Sequence, residues 1–204
     1  SELMALYEAA INDRESELPV LAVQYSDYAN WQKQWLTPDV LSAQLDYWRQ
    51  QLHDAPTLLN LPLDKPRPAL QTHRGRSFEF LIDAQLNKQL KTLCLGSETT
   101  QFMGLFACYA ALLSKYANAH DLVIGTPVTH RNRSELNNLI GFFVNTLPIR
   151  FKLDPRMTTM DLLGMVRQTM LEGFTNQDAP FEAIVDAVHP ERSLSHAPIF
   201  QTMF

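Results

Sequence analysis

Four groups of polar residues could do chemistry. The first is Asn145-Thr146, set in the apolar run IGFFVNTLPIR. In a strand, Asn145 shares a face with Phe143, Leu147 and Ile149. A buried amide without partners costs about 1–3 kcal/mol, so it must bond to backbone, water or a ligand. The residues alone leave a backbone-bonded core Asn and a site Asn equally open. The second group is His130, Arg131 and Arg133 in THRNR, after a buried strand. Loops at strand ends often carry sites, yet a solvated basic loop is the plainer reading. The third is Asn176, Gln177 and Asp178 in NQDAPFE, where Asp178 can serve as a helix N-cap and Gln177 has no such role. The fourth is Tyr25, Ser26, Asp27 and Tyr28, where capping accounts for Ser26 and Asp27.

None of these groups is a self-contained catalytic set. The sequence lacks G-x-S-x-G, a P-loop and G-x-G-x-x-G. Its six histidines form neither H-E-x-x-H nor a cluster with cysteine at zinc-like spacing, so no metal site is expected. Cys94 and Cys108 lie in apolar periodic segments and read as free thiols of a reducing, cytoplasmic compartment. A net charge of -5 offers no basic excess for nucleic acid. No apolar run approaches the roughly 18 residues that span a bilayer, so no membrane partner is expected.

The elements that position these groups read as α/β. Leu3, Tyr7 and Ala10 share a face of an opening helix, and Ser26 can cap a second carrying Tyr28, Trp31 and Trp35. Thr37-Pro38 starts a third that buries Leu41, Leu45, Trp48 and Leu52. Prolines 62, 66 and 68 mark an extended crossing and a boundary near residue 70. Phe78, Phe80 and Ile82 alternate as a strand, and Asp83 caps a helix closed by Gly96. Phe102, Phe106, Tyr109, Leu113 and Tyr116 form the stripe of a further helix. Strands are expected at residues 121–125, over IGFFVNTLPIRFKL, and in the closing PIFQTMF. Between the last two, Thr158-x-x-Asp161 is a capping-box start, and Phe181, Ile184, Val185 and Val188 form a helix face. Strands buried on both faces, separated by amphipathic helices, indicate a sheet covered by helices. Both ends look cut inside an element, so the chain reads as an excerpt, one expected to fold poorly by itself because a cut sheet exposes edges.

Four stretches, in order, resemble motifs of the condensation domains of nonribosomal peptide synthetases. QYSDYANWQKQWL resembles the block Tyr-x-Asp-(Tyr/Phe)-Ala-x-Trp, and IGFFVNTLPIR the block Ile-Gly-x-Phe-Val-Asn-Thr. NQDAPFEAIV resembles Gln-Asp-x-Pro-Phe-Glu, and RSLSHAPIFQTMF resembles Arg-x-x-Ser-x-x-Pro-(Leu/Ile)-Phe-Gln through Arg192, Ser195, Pro198, Phe200, Gln201 and Phe204. Three departures stand out. The family's His-His-x-x-x-Asp-Gly motif is absent and is expected just before Ser1, the family's closing strands and helix after the Phe-Gln block are missing, and many members have Asn where this chain has His130.

The resemblance implies a two-lobed, chloramphenicol-acetyltransferase-like sandwich, truncated here at both ends. Residues 1–70 would end the first, mostly helical lobe, and 71–204 would form most of the second. It implies an amide-forming acyltransferase that joins a donor acyl or peptidyl thioester to the amine of an acceptor aminoacyl thioester. Both substrates would ride on phosphopantetheine arms of upstream and downstream peptidyl carrier domains, beside an adenylation domain, with no cofactor bound directly. Asn145 and Thr146 would line or brace the channel, and Gln177 and Asp178 would lie at its edge or at a lobe contact. Tyr25 and Asp27 would support the first lobe, Arg150 would be structural, and Arg131 and Arg192 are carried as motif residues. The histidine that serves condensation in the family would lie upstream of Ser1, and the chain alone is expected to be inactive. The intact Phe-Val-Asn-Thr favours condensation over epimerization and cyclization relatives. A noncatalytic carrier-docking domain of the same fold is the alternative from another class.

Overall fold

Seven helices and one antiparallel strand pair are formed by the residues that the computed structural model describes, namely 2–72, 74–131, 133–190 and 193–204. Three helices come first: α1 (Glu2–Ile11), α2 (Tyr25–Trp35) and α3 (Pro38–Leu52). After a long irregular stretch follow α4 (Ala84–Gly96), α5 (Gln101–Ala117) and β1 (Asp121–Thr129). A single 3-10 turn at Ser134–Leu136 precedes β2 (Val144–Lys152), α6 (Thr159–Thr175) and α7 (Phe181–Val188). By contacts the chain divides into two units, residues 1–37 with 131–143, and residues 38–130 with 144–204.

In the first unit a small core gathers Tyr28, Leu136, Leu139 and Phe143, with Leu21 and Val23 against it. α1 is present, but Ala9 is its buried residue while Leu3 and Tyr7 are exposed. A 3.6-residue period says which side chains share a face, not what that face meets. The cap of α2 also differs from expectation. The helix starts at Tyr25 with Gln24 as N-cap, because the Asp27 carboxylate accepts the Gln24 N–H at 2.8 Å and so fixes the first turn earlier than a Ser26 cap would.

The second unit holds the main core. Trp48 and Leu52 of α3, Phe106 and Leu113 of α5, Val166 and Met170 of α6, and Ile184 of α7 pack with Ile124 of β1 and Ile149 and Phe151 of β2. β1 and β2 pair in register from Asp121 opposite Lys152 to Thr129 opposite Val144. Pro148 faces Gly125 across this ladder. Gly125 turns its own polar groups outward, donating to Thr202 O at 2.9 Å and accepting the Phe204 N–H at 2.9 Å. Pro148 therefore sits at a position where no strand donor is needed, which is how a proline fits inside a buried strand.

Three strand expectations are corrected. Residues 78–82 form no ladder among the described residues, and Phe78 and Phe80 are exposed. Alternation supplies the face of a strand but not the neighbour that completes its hydrogen bonds. Residues 140–143 lie outside β2, with Ile140 and Phe142 exposed at a turn. The closing segment makes a single parallel bridge, Met203 to Gly125, rather than a strand. The proline-rich stretch is irregular, as prolines that cannot donate require, and Gln201 ties it down by accepting the Leu59 N–H at 2.7 Å and donating to Thr57 O at 3.1 Å.

Two helix starts of this unit, those of α4 and α6, are local and match the sequence reading. Asp83 accepts the Leu86 N–H at 2.8 Å, and Thr158 and Asp161 form the capping box of α6. The Thr158 hydroxyl and then the Thr158 N–H hold the Asp161 carboxyl below its ordinary pKa. A lowered folded-state pKa gives stability that is present above the unfolded value and lost as pH falls through the folded one. Asp161→Asn is therefore expected to lower Tm at neutral pH, and the deficit should vanish on acidification, as thermal melts across that range would read.

Candidate functional site

Asn145 is the second residue of β2 and is half-buried. Its amide is fully engaged by the turn between α6 and α7. Nδ2 donates to Gln177 O at 2.8 Å and to Ala179 O at 2.9 Å, and Oδ1 accepts the Phe181 N–H at 3.1 Å. The orientation of the amide is thereby fixed, since carbonyls only accept and a backbone N–H only donates. The amide thus finds its partners in the backbone, at a half-buried position and not in the core. Thr146, next in an alternating strand, projects to the other face and is not part of this group.

Three further side chains converge on the same turn. Trp48 Nε1 donates to Asn176 O at 2.9 Å. Gln44 accepts the Ala179 N–H at 2.8 Å and donates to Asp178 Oδ2 at 3.2 Å. His130, at the end of β1, has Nε2 3.1 Å from Gln177 O, so that nitrogen carries the proton, and lies 4.0 Å from Asp178 Oδ1. Asp178 is not the cap of α7, whose N-cap position is Pro180. Its carboxylate is drawn sideways by Gln44 instead of forward onto the helix amides. One side of the turn is thus pinned from α3, β1 and β2, while the Asp178 side chain stays 27 % exposed and that of His130 only 10 %.

Arg131, in the loop after β1, is not a solvated cation. Beyond His130, the Arg131 guanidinium stacks 4.1 Å from the Phe143 ring centre and donates to Leu136 O and, at 2.8 Å, to Leu139 O. The short 3-10 turn exposes those carbonyls, and a planar five-donor group reaches both. Tyr25 belongs to the same first-unit cluster: its hydroxyl donates to Phe142 O at 2.9 Å and its ring meets Phe143 edge-on at 5.3 Å. Gly141 lies beneath that ring, where an added Cβ would come within 2.6 Å of Tyr25 Cε2. Asp27 caps α2.

Arg150 shares no hydrogen bond with the Asn145 group. All five of its N–H donors are used, two on Asp121 at 2.8 and 2.6 Å, and the others on the carbonyls of Gln51, His53 and Asp54 at the end of α3. Arg192 lies outside the described residues. In α3, burial and the Glu172 carboxylate push the Tyr47 phenol above its ordinary pKa. No group of three or more His, Cys, Asp or Glu side chains suited to a metal occurs among the described residues. No described helix is long and apolar enough to cross a membrane.

Sequence reasoning missed Gln44, Trp48 as a donor, and Asp121. Gln44 had a signal. It falls within the apolar stripe Leu41, Leu45, Trp48, Leu52, and a polar residue inside such a stripe asks for a partner.

The family model for the condensation domain matches residues 1–204. The chain is 47% identical over 203 residues to one of the linear gramicidin synthase proteins of Brevibacillus parabrevis, a match covering 100% of this chain and 3% of that protein. It superposes with a TM-score of 0.88 and 28% identity on the X-domain from teicoplanin biosynthesis, covering 98% of this chain and 46% of that one. That X-domain is also known in complex with OxyB. A four-domain nonribosomal peptide synthetase bound to AMP and glycine matches with a TM-score of 0.79 and 33% identity, over 82% of this chain and 13% of that one. The α/β fold is thus of the chloramphenicol-acetyltransferase-like class shared by these domains. The chain belongs to the condensation-domain family. It spans a small part of the curated synthetases it matches and under half of the X-domain chain.

Proposed function

We propose that this chain is part of a condensation domain of a cytoplasmic nonribosomal peptide synthetase and contributes to amide formation between two carrier-bound substrates. The acceptor amine nitrogen attacks the donor thioester carbonyl. The C–N bond forms, the C–S bond breaks, and the donor arm leaves as a thiol that takes up the proton the amine gives away. Both substrates are held on phosphopantetheine of neighbouring carrier domains, with an adenylation domain supplying the aminoacyl group. Such a reaction gains most from holding two tethered reactants in register, which converts a bimolecular encounter into a local one.

The observation that carries this reading is the bonding of Asn145, from the Phe-Val-Asn-Thr block, to the turn of the Gln-Asp-x-Pro-Phe-Glu block. Two motifs far apart in sequence form one rigid polar frame. Asn145, Gln177 and Asp178 are read as the channel-edge group, with Thr146 on the opposite face of β2. Tyr25, Asp27, Arg131 and Arg150 are read as structural supports, and Arg192 is kept as a motif residue. The lobe boundary near residue 70 is carried as part of this reading. The family's His-His-x-x-x-Asp-Gly motif does not occur in this sequence, so no described side chain is assigned the proton transfer.

A docking domain is the second reading, favoured by the likeness to an X-domain known in complex with OxyB. Product analysis with the full synthetase separates the classes. Condensation yields a linear amide on the acceptor arm, cyclization a product lighter by a further water, and epimerization an inverted donor with no new bond. A docking domain binds its protein partner and leaves both thioesters unchanged. The linear amide is the expected product.

A further inference from the structure

Gln44 is a buried glutamine whose side-chain amide is engaged at both ends. The Ala179 N–H, 2.8 Å away, can only donate, so it claims Oε1 and leaves the NH2 to Asp178 at 3.2 Å. α3 thereby presents a neutral, oriented donor to one oxygen of Asp178. The titratable group facing the other oxygen is His130 from the end of β1, at 4.0 Å, whose Nε2 proton is directed to Gln177 O. Asp178 is clamped on its inner side and partly open on the other. A carboxylate offered outward from a rigid turn has electrostatic value to a reaction only if it need not reorganise when charge develops. On the condensation reading, that charge is the positive one that builds on an attacking amine nitrogen.

We propose that Gln44 is a positioning residue for amide formation, acting through Asp178, whose carboxylate it holds in place within the turn. The inference rests on the condensation reading.

Gln44→Glu keeps the shape and puts the clamp under the control of pH. Protonated, the introduced carboxyl accepts the Ala179 N–H and donates its O–H to Asp178, as glutamine does. Ionised, it opposes Asp178 at hydrogen-bond distance, and such a pair titrates with one apparent pKa raised. The clamp is therefore present below that pKa and lost as pH rises through it. In the full synthetase with both carriers loaded, the variant's single-turnover rate should fall about 10- to 100-fold as pH rises. The wild-type profile should lack that limb, and KM should change little. Adding Asp178→Asn removes the repulsion, since the introduced carboxylate then accepts from both partners. The double variant should recover Tm at high pH but not the rate, because the charge has moved from position 178 to position 44.

Melts at each pH keep loss of folding apart from loss of rate. A Gln44→Glu variant with the wild-type pH profile overturns the proposal, as does a double variant that recovers the full rate. A wild-type synthetase that binds both carriers and forms no amide overturns the condensation reading and this inference with it. An active wild type beside an unaffected variant overturns this inference alone.

Discussion

Arg150→Ala is expected to lower the unfolding free energy by about 3–5 kcal/mol. The Arg150 side chain is 5 % exposed, and it serves the Asp121 carboxylate and three carbonyls at once. Removing it leaves a carboxylate without its partner and strips the last turn of α3 of its capping cation, at the end of the helix where positive charge is favourable. Asp121 is 35 % exposed and can recover water, which places the expected cost toward the lower end of that range. Arg150→Lys keeps the charge but brings three donors to five acceptor contacts, so an intermediate loss is expected. Denaturant titration checks both variants: the midpoint should fall with the slope unchanged. A loss below about 1 kcal/mol would mean that the pair behaves as a screened surface bridge.

Asn145→Asp is expected to cost about 2–3 kcal/mol near neutral pH, more than Asn145→Ala, although it changes a single atom type. The introduced carboxylate keeps the acceptor for the Phe181 N–H but points its second oxygen at the carbonyls of Gln177 and Ala179, where Nδ2 stood at 2.8 and 2.9 Å. Three acceptors facing one another raise the folded-state pKa of the new carboxyl. A raised pKa gives stability that is fully present below the unfolded value and lost as pH rises through the folded one. The variant should therefore approach wild-type stability in acid and diverge from it toward neutral pH. Paired melts of the two variants across that range would show the crossing.

How much of this is legible in the sequence depends on whether a residue's partner is local. Asp83 with Leu86, Thr158 with Asp161, and the stripe of α3 are readable because caps and helix faces are settled within a few residues. The 78–82 segment misleads because its alternation is local and the strand it would need is not. Asn145 visibly needs partners, but they lie 32 to 36 residues away across a helix, and periodicity carries no such information. Gln44 and Asp178 are 134 residues apart: the stripe of α3 shows that Gln44 needs a partner but not which one, and Asp178 looks explained as a cap. Arg131 looks solvated because neither the carbonyls of the 3-10 turn nor the Phe143 face can be placed from composition. The family resemblance bridges part of that gap, since it marks Asn145 as a channel residue and Gln177 and Asp178 as residues of a channel edge or lobe contact without any knowledge of their contacts.

Whether the turn held by Asn145 belongs to an amide-forming channel is tested most directly by single-turnover transfer between two loaded carriers. The mass of the acceptor arm is read over time in the wild-type synthetase and in Asn145→Ala. The wild-type acceptor should gain the donor acyl group as an amide. The variant should do so at a rate about 10- to 100-fold lower, at a temperature where circular dichroism shows it folded. A folded Asn145→Ala protein that forms the amide at the wild-type rate would contradict the channel role.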